Sequence, residues 1–108
     1  MTGKQISAEE LYALINKGMQ DSIIVDVRTP AEFAKGAIAG AKNMPVDEII
    51  TQVDALRGYK KIYLYCLSGG RSQLALAQLA TSGLTDELYS LSSGLLAWRK
   101  LGYPLVSV

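Results

Sequence analysis

Residues 62–80 read IYLYCLSGGRSQLALAQLA, and the fold turns on how this stretch divides. With Lys61 before it, this stretch begins KIYLY at 61–65, a short run rich in β-branched and aromatic residues, as in a buried strand. Beyond the glycines, Leu74, Leu76, Leu79 and Ala80 lead to Gly83 as a helix that is apolar nearly all round, which predicts deep burial. Between the two stands the only cysteine of the 108 residues, followed by Leu67-Ser68-Gly69-Gly70-Arg71. A strand passing through a glycine turn into a helix start is the unit of a parallel α/β sheet.

The same alternation extends in both directions. IIVDV at 23–27 reads as a second buried strand, and DELYSL at 86–91 as a weaker third. The amino-terminal MTGKQISAEELYALINKG reads as an amphipathic helix, with Ser7 and Glu10 as a capping box and Gly18 as its stop. Thr29-Pro30-Ala31-Glu32 opens a short helix that ends near Gly36. Asp47 is placed to cap a further helix with Ile49, Ile50, Val53 and Leu56 on one stripe. A last helix spans Gly94 to Leu101, stopped by Gly102 with Pro104 beyond it. Strands alternating with helices give a parallel sheet covered on both faces, in one domain over 1–108.

Composition narrows the chemistry. The chain is 49% hydrophobic and 19% charged, and eleven Lys and Arg against ten Asp and Glu leave a formal charge of +1. Its basic residues are scattered apart from Lys60 and Lys61, so no nucleic-acid footprint is expected. No apolar run approaches the roughly 18 residues of a membrane span, and no secretory leader is legible, so a cytoplasmic location is expected. One cysteine allows no internal disulfide. With no histidine, a Cys/His zinc site and a Cys–His nucleophile pair are both excluded. Neither a metal nor a cofactor is expected.

Cys66 stands where ligands bind in open α/β sheets, at the carboxyl end of a strand. The glycines at 69 and 70 permit a turn whose N–H groups converge on one point, next to a helix start that favours negative charge. A thiolate there has a depressed pKa and needs no histidine base. Packing as a small apolar residue is the alternative for any lone cysteine, but it does not account for the two glycines and the arginine. Arg71 has two readings: it attracts an anionic donor and screens the thiolate, or it closes the loop in an ion pair with a carboxylate. Ser68 and Ser72 are hydrogen-bond donors to sulfur or helix caps, with the structural role favoured for Ser72. Asp26 and Arg28 point to the same side of their strand. For Arg28 a solvated ion pair with Glu32 is the favoured reading. Trp98, Tyr63 and Tyr65 read as core. Four residues separate Cys66 from Arg71, one fewer than in cysteine-based phosphatases, and Tyr65 stands where those enzymes usually have histidine.

Three ordered segments resemble the rhodanese family of thiosulfate sulfurtransferases over essentially the whole chain: IIVDVRTPAEFAKGAIAGAKNMP at 23–45, YCLSGGRS at 65–72 and LSSGLLAWRKLGYPLV at 91–106. The resemblance implies a rhodanese-like α/β fold, with a parallel sheet of about five strands flanked by helices on both faces. It also implies a sulfur transfer. Cys66 takes the outer sulfur of thiosulfate or a related small anionic donor, holds it as a persulfide, and yields it to a thiol or to cyanide. Leu67, Ser68, Gly69, Gly70, Arg71 and Ser72 would bind the substrate, while Asp26 and Arg28 would shape the pocket beneath the loop. A sulfur-delivering or sulfur-accepting protein is a further expected partner. The rival from another class is a rhodanese-like carrier or binding module with little thiosulfate turnover. Ala37 and Ala39 stand where the family has His and Pro, and Ser93 replaces a glycine of the closing segment.

Overall fold

The computed structural model describes residues 3–85 and 87–107. Five strands, β1 (Gly3–Ile6), β2 (Ser22–Asp26), β3 (Lys42–Asn43), β4 (Lys61–Tyr65) and β5 (Glu87–Leu91), form one sheet in the order β1-β5-β4-β2-β3. Every pairing in it is parallel. Four α-helices connect them, α1 (Ala8–Lys17), α2 (Pro30–Lys35), α3 (Gly70–Ala80) and α4 (Gly94–Lys100), together with a 3-10 helix at Ile49–Leu56.

Alternation along the strands divides the core into two layers. Ile23, Val25, Val27, Ile62, Leu64 and Leu88 face α3 and the 3-10 helix, where Ala75, Leu76, Leu79, Ile49 and Leu56 cover them. Ile24, Tyr63, Tyr65 and Leu91 face the other way, beneath Ala8 and Leu11 of α1 and Leu95 and Trp98 of α4. The predicted core aromatics are all buried, and Trp98 satisfies its Nε1–H on the Pro104 carbonyl at 2.9 Å. Among the described residues no helix is long and apolar enough to cross a membrane.

The capping boxes read from sequence are both formed. Ser7 Oγ accepts from the Glu10 amide and Thr29 Oγ1 from the Glu32 amide, with each glutamate reaching back to the cap's own N–H. Four expectations are corrected. The amino terminus is not helical from its start: Gly3–Ile6 pairs with β5 as an edge strand, which four half-polar residues do not announce. The two-residue β3, beside β2, is likewise invisible to periodicity. Over 49–56 the chain winds as a 3-10 helix with Glu48 at its cap position and no side-chain cap, so Asp47 does not start an α-helix. Three β-branched residues at 49–51 disfavour the α form there. In α3 only one face meets the sheet, and Leu74 is 53% exposed. Asp86, the first residue of the expected third strand, lies outside the described residues; the rest of that strand forms.

Strand order locates the site. Chain leaving β2 passes through α2 to β3, on one side, and chain leaving β4 passes through α3 to β5, on the other. The connections diverge between β2 and β4, and the cleft that such a divergence opens at the strands' carboxyl ends is where α/β sheets bind ligands.

Candidate active site

Cys66 directly follows β4, on the α3 side of the sheet, and is 1% exposed. Its sulfur does not simply fill the apolar layer around it. Sγ accepts from the amides of Gly69 at 3.1 Å and Ser72 at 3.4 Å, and lies 3.6 Å from Ser72 Oγ. Burial pushes the thiol up, but the amide and hydroxyl of Ser72 and the amides of Gly69 and Ser68 outweigh it, so the thiol lies below its ordinary value. The amides of Gly70 and Arg71, the first two of α3, meet no acceptor among the described residues. Such free N–H groups at a helix start attract negative charge.

Two glycines set this geometry. Gly69 is the cap residue of α3 with φ +108, a left-handed conformation that turns the chain under the sulfur. Gly94 opens α4 with φ +52, and a Cβ there would stand 2.5 Å from the Cys66 carbonyl oxygen and 2.6 Å from that of Leu67. That closeness lets the Leu95 and Leu96 amides hold those same carbonyls at 2.9 and 3.0 Å. The Cys66 and Leu67 carbonyls are therefore turned toward α4, away from the sulfur's amide donors. Gly70, expected to share the unusual turn, instead has ordinary right-handed backbone and open space around its α-carbon.

Sequence reasoning missed Ser90. Its Oγ lies 2.8 Å from Ser72 Oγ, and Ser72 also donates to the Gly69 carbonyl at 3.1 Å. A serine on the buried face of an otherwise apolar strand is itself the signal, because such a hydroxyl must find a partner. Ser72 is not a helix cap; it occupies the third position of α3, with both N–H and Oγ beside the sulfur. The Ser68 side chain is exposed and Leu67 is half-buried.

The two arginines pair otherwise than expected. Arg28 is not solvated and does not meet Glu32: it is 2% exposed, its Nε donates to both Asp26 oxygens at 3.0 Å, and its Nη2 reaches Asp26 Oδ2 and the Gly36 carbonyl at 2.7 Å. Among the described residues Arg28 is the one cation in salt-bridge contact with buried Asp26, so the nearer partner wins. Arg28 also lies over the Tyr65 ring, on the sheet side opposite Cys66, so the pair holds the 36–38 turn rather than the sulfur. Asn43, another residue the sequence did not single out, ties this corner by donating to the Asp26 and Arg28 carbonyls at 3.0 and 2.9 Å. In the same turn Ala37 exchanges two backbone bonds with Val106, and the Ile38 amide donates to Tyr65 Oη. Glu32 instead takes Arg71, Nη1 to Oε1 at 2.7 Å and Nη2 to Oε2 at 3.1 Å. Of the two readings of Arg71, the loop-closing ion pair is the one the geometry displays.

Comparison with known proteins agrees with this architecture. The chain matches the rhodanese-like domain family over residues 7–101. It is 35% identical over 88 residues to a sulfurtransferase of Allochromatium vinosum, covering 82% of this chain and 81% of that one. It is 33% identical over 96 residues to the thiosulfate sulfurtransferase GlpE of Stutzerimonas stutzeri, covering 89% of this chain and 84% of that one. The crystal structure of a rhodanese-related protein from Thermoplasma volcanium superposes with a TM-score of 0.85 at 31% identity, over 97% of this chain and 99% of that one.

Proposed function

We propose, for a chain that belongs to the rhodanese-like domain family, that Cys66 is the nucleophile of a cytoplasmic sulfurtransferase. It takes the outer sulfur of a sulfane donor such as thiosulfate, carries it as a persulfide, and passes it to a thiol, or to cyanide in an assay. One observation carries this reading: the Gly69 and Ser72 amides converge on Sγ, while the two amides between them, those of Gly70 and Arg71, meet no acceptor among the described residues. The first group favours the thiolate without a histidine; the second is available to a second sulfur attached to the first.

With thiosulfate, the Cys66 thiolate attacks the outer sulfur, the bond to the sulfonyl sulfur breaks, and its electron pair leaves with sulfite. The persulfide keeps one negative charge, which the free amides of Gly70 and Arg71 stabilise as it develops. A single positioned donor of this kind is worth roughly 2.7–4 kcal/mol in comparable anion holes. Because Cys66 is almost fully enclosed, the donor enters end-on, its outer sulfur first. A thiol acceptor then attacks that sulfur and regenerates the Cys66 thiolate.

Intact-mass measurement after exposure to sulfane donors tests the proposal. One added sulfur atom, removed by a thiol and absent in Cys66→Ala, is the expected result. No gain with any donor would overturn it and leave the binding-module reading.

A further inference from the structure

We propose that Glu32 selects the donor: by cancelling the charge of Arg71 it turns the site from dianionic thiosulfate toward persulfides of low net charge. This rests on the Cys66 persulfide reading and concerns only which molecule supplies the sulfur.

Both arginines near the loop are spent within the chain. Arg28 is buried against Asp26 and the Gly36 carbonyl. The Arg71 fork meets the Glu32 carboxylate end-on, Nη1 and Nη2 on its two oxygens, the bidentate form that fixes geometry as well as charge. Glu32 is in turn fixed on α2, because its carboxylate also accepts from the Thr29 amide at 3.2 Å and from Thr29 Oγ1 at 3.1 Å. Arg71 holds that carboxyl down at about 2, so the pair stays charged at neutral pH. Leu67, Ser68, Gly69 and Gly70 carry no charge, nor do Ser93, Gly94, Leu95 and Leu96, the segment against which the loop rests. Leu96 is half exposed beside Leu67. The mouth is therefore neutral in sum and partly apolar, with a thiolate inside it.

A dianion approaching that thiolate meets repulsion while Arg28 and Arg71 are already paired within the chain, and it must release a second dianion, sulfite. A neutral persulfide meets neither difficulty. The Cys66 thiolate attacks the outer sulfur of R–S–SH, the donor's S–S bond breaks, and its electron pair leaves with R–S⁻. The proton stays on the transferred sulfur, now part of Cys66–S–SH. One negative charge enters the step and one leaves.

Glu32→Gln is the discriminating variant, since glutamine still serves the capping box but leaves Arg71 uncancelled. Cys66 loading is followed by mass with thiosulfate and with cysteine persulfide. In the unaltered protein, cysteine persulfide should load with the higher kcat/KM, and thiosulfate loading should be nearly flat in ionic strength. In Glu32→Gln the thiosulfate-to-persulfide ratio of kcat/KM should rise about tenfold, and thiosulfate loading should become salt-sensitive. An unchanged or lower ratio, or steep salt dependence already in the unaltered protein, overturns the assignment of Glu32. Should neither donor load Cys66 in either protein, the persulfide reading itself falls.

Discussion

Helices α2 and α3 begin at neighbouring points of the same cleft, yet their first turns are satisfied differently. In α2, as in α1, a side-chain oxygen at the cap position takes the third amide of the helix, Thr29 Oγ1 from Glu32 and Ser7 Oγ from Glu10. In α3 the cap residue is Gly69, which has no side chain to offer, and the third amide, that of Ser72, goes to the Cys66 sulfur. The same backbone requirement is met by oxygen at two helix starts and by sulfur at the third. The sulfur placed there completes the helix, and the same amides lower its pKa, so the cap and the acidity of the thiol rest on one contact.

Replacing the sulfur breaks this comparison most sharply. Cys66→Ser puts an oxygen cap on α3, like those of α1 and α2. It should abolish sulfur loading entirely while changing unfolding free energy by less than about 1 kcal/mol, whereas Cys66→Ala, with no cap, should lose about 1 kcal/mol. Denaturant unfolding beside intact mass checks both; a Cys66→Ser protein far less stable than Cys66→Ala would mean the sulfur is not acting as a cap.

Next in size is Gly94→Ala. Its methyl group enters the space of two loop carbonyls at a positive φ, and about 2–4 kcal/mol of stability should go with it. Because those carbonyls set the direction of the loop amides, loading of whatever folded protein remains should fall as well. Full activity at reduced stability would show that α4 does not orient the loop.

A smaller change follows from Ser72→Ala, which removes the hydroxyl beside the sulfur and leaves Ser90 without its partner. The Cys66 pKa should rise, seen as a shift of the alkylation pH profile to higher pH. The sign for stability follows from the depressed thiol. The sulfur's ionic contribution is present above the unfolded pKa and is lost as pH falls through the folded one, so the variant should lose most at alkaline pH. Thr29→Ala is the smallest: removing the α2 cap should cost about 1 kcal/mol without moving the Cys66 alkylation pKa. A moved pKa would join the two helix starts electrostatically.

How much was legible depended on how far apart the interacting groups lie. Ser7 with Glu10 and Thr29 with Glu32 are three residues apart, so propensity and spacing fix them before any tertiary contact forms. Cys66 with Gly69 and Ser72 spans one turn, and the sequence placed the sulfur correctly at a strand end. Arg28 was misassigned because Glu32 and Asp26 are both near it in sequence, and only burial decides between them. Leu74 looked like core because periodicity cannot tell how much of a helix surface the sheet will cover.

The sequence by itself determined the strand–turn–helix units, both capping boxes and the cysteine at the head of α3, since each depends on dihedrals and contacts within a few residues. Only the tertiary structure decided that Arg71 meets Glu32, that Ser90 supports Ser72 and that Gly94 lies against the Cys66 carbonyl. Those partners come from different strands and helices, and they meet because a parallel sheet of this order brings their carboxyl ends to one cleft.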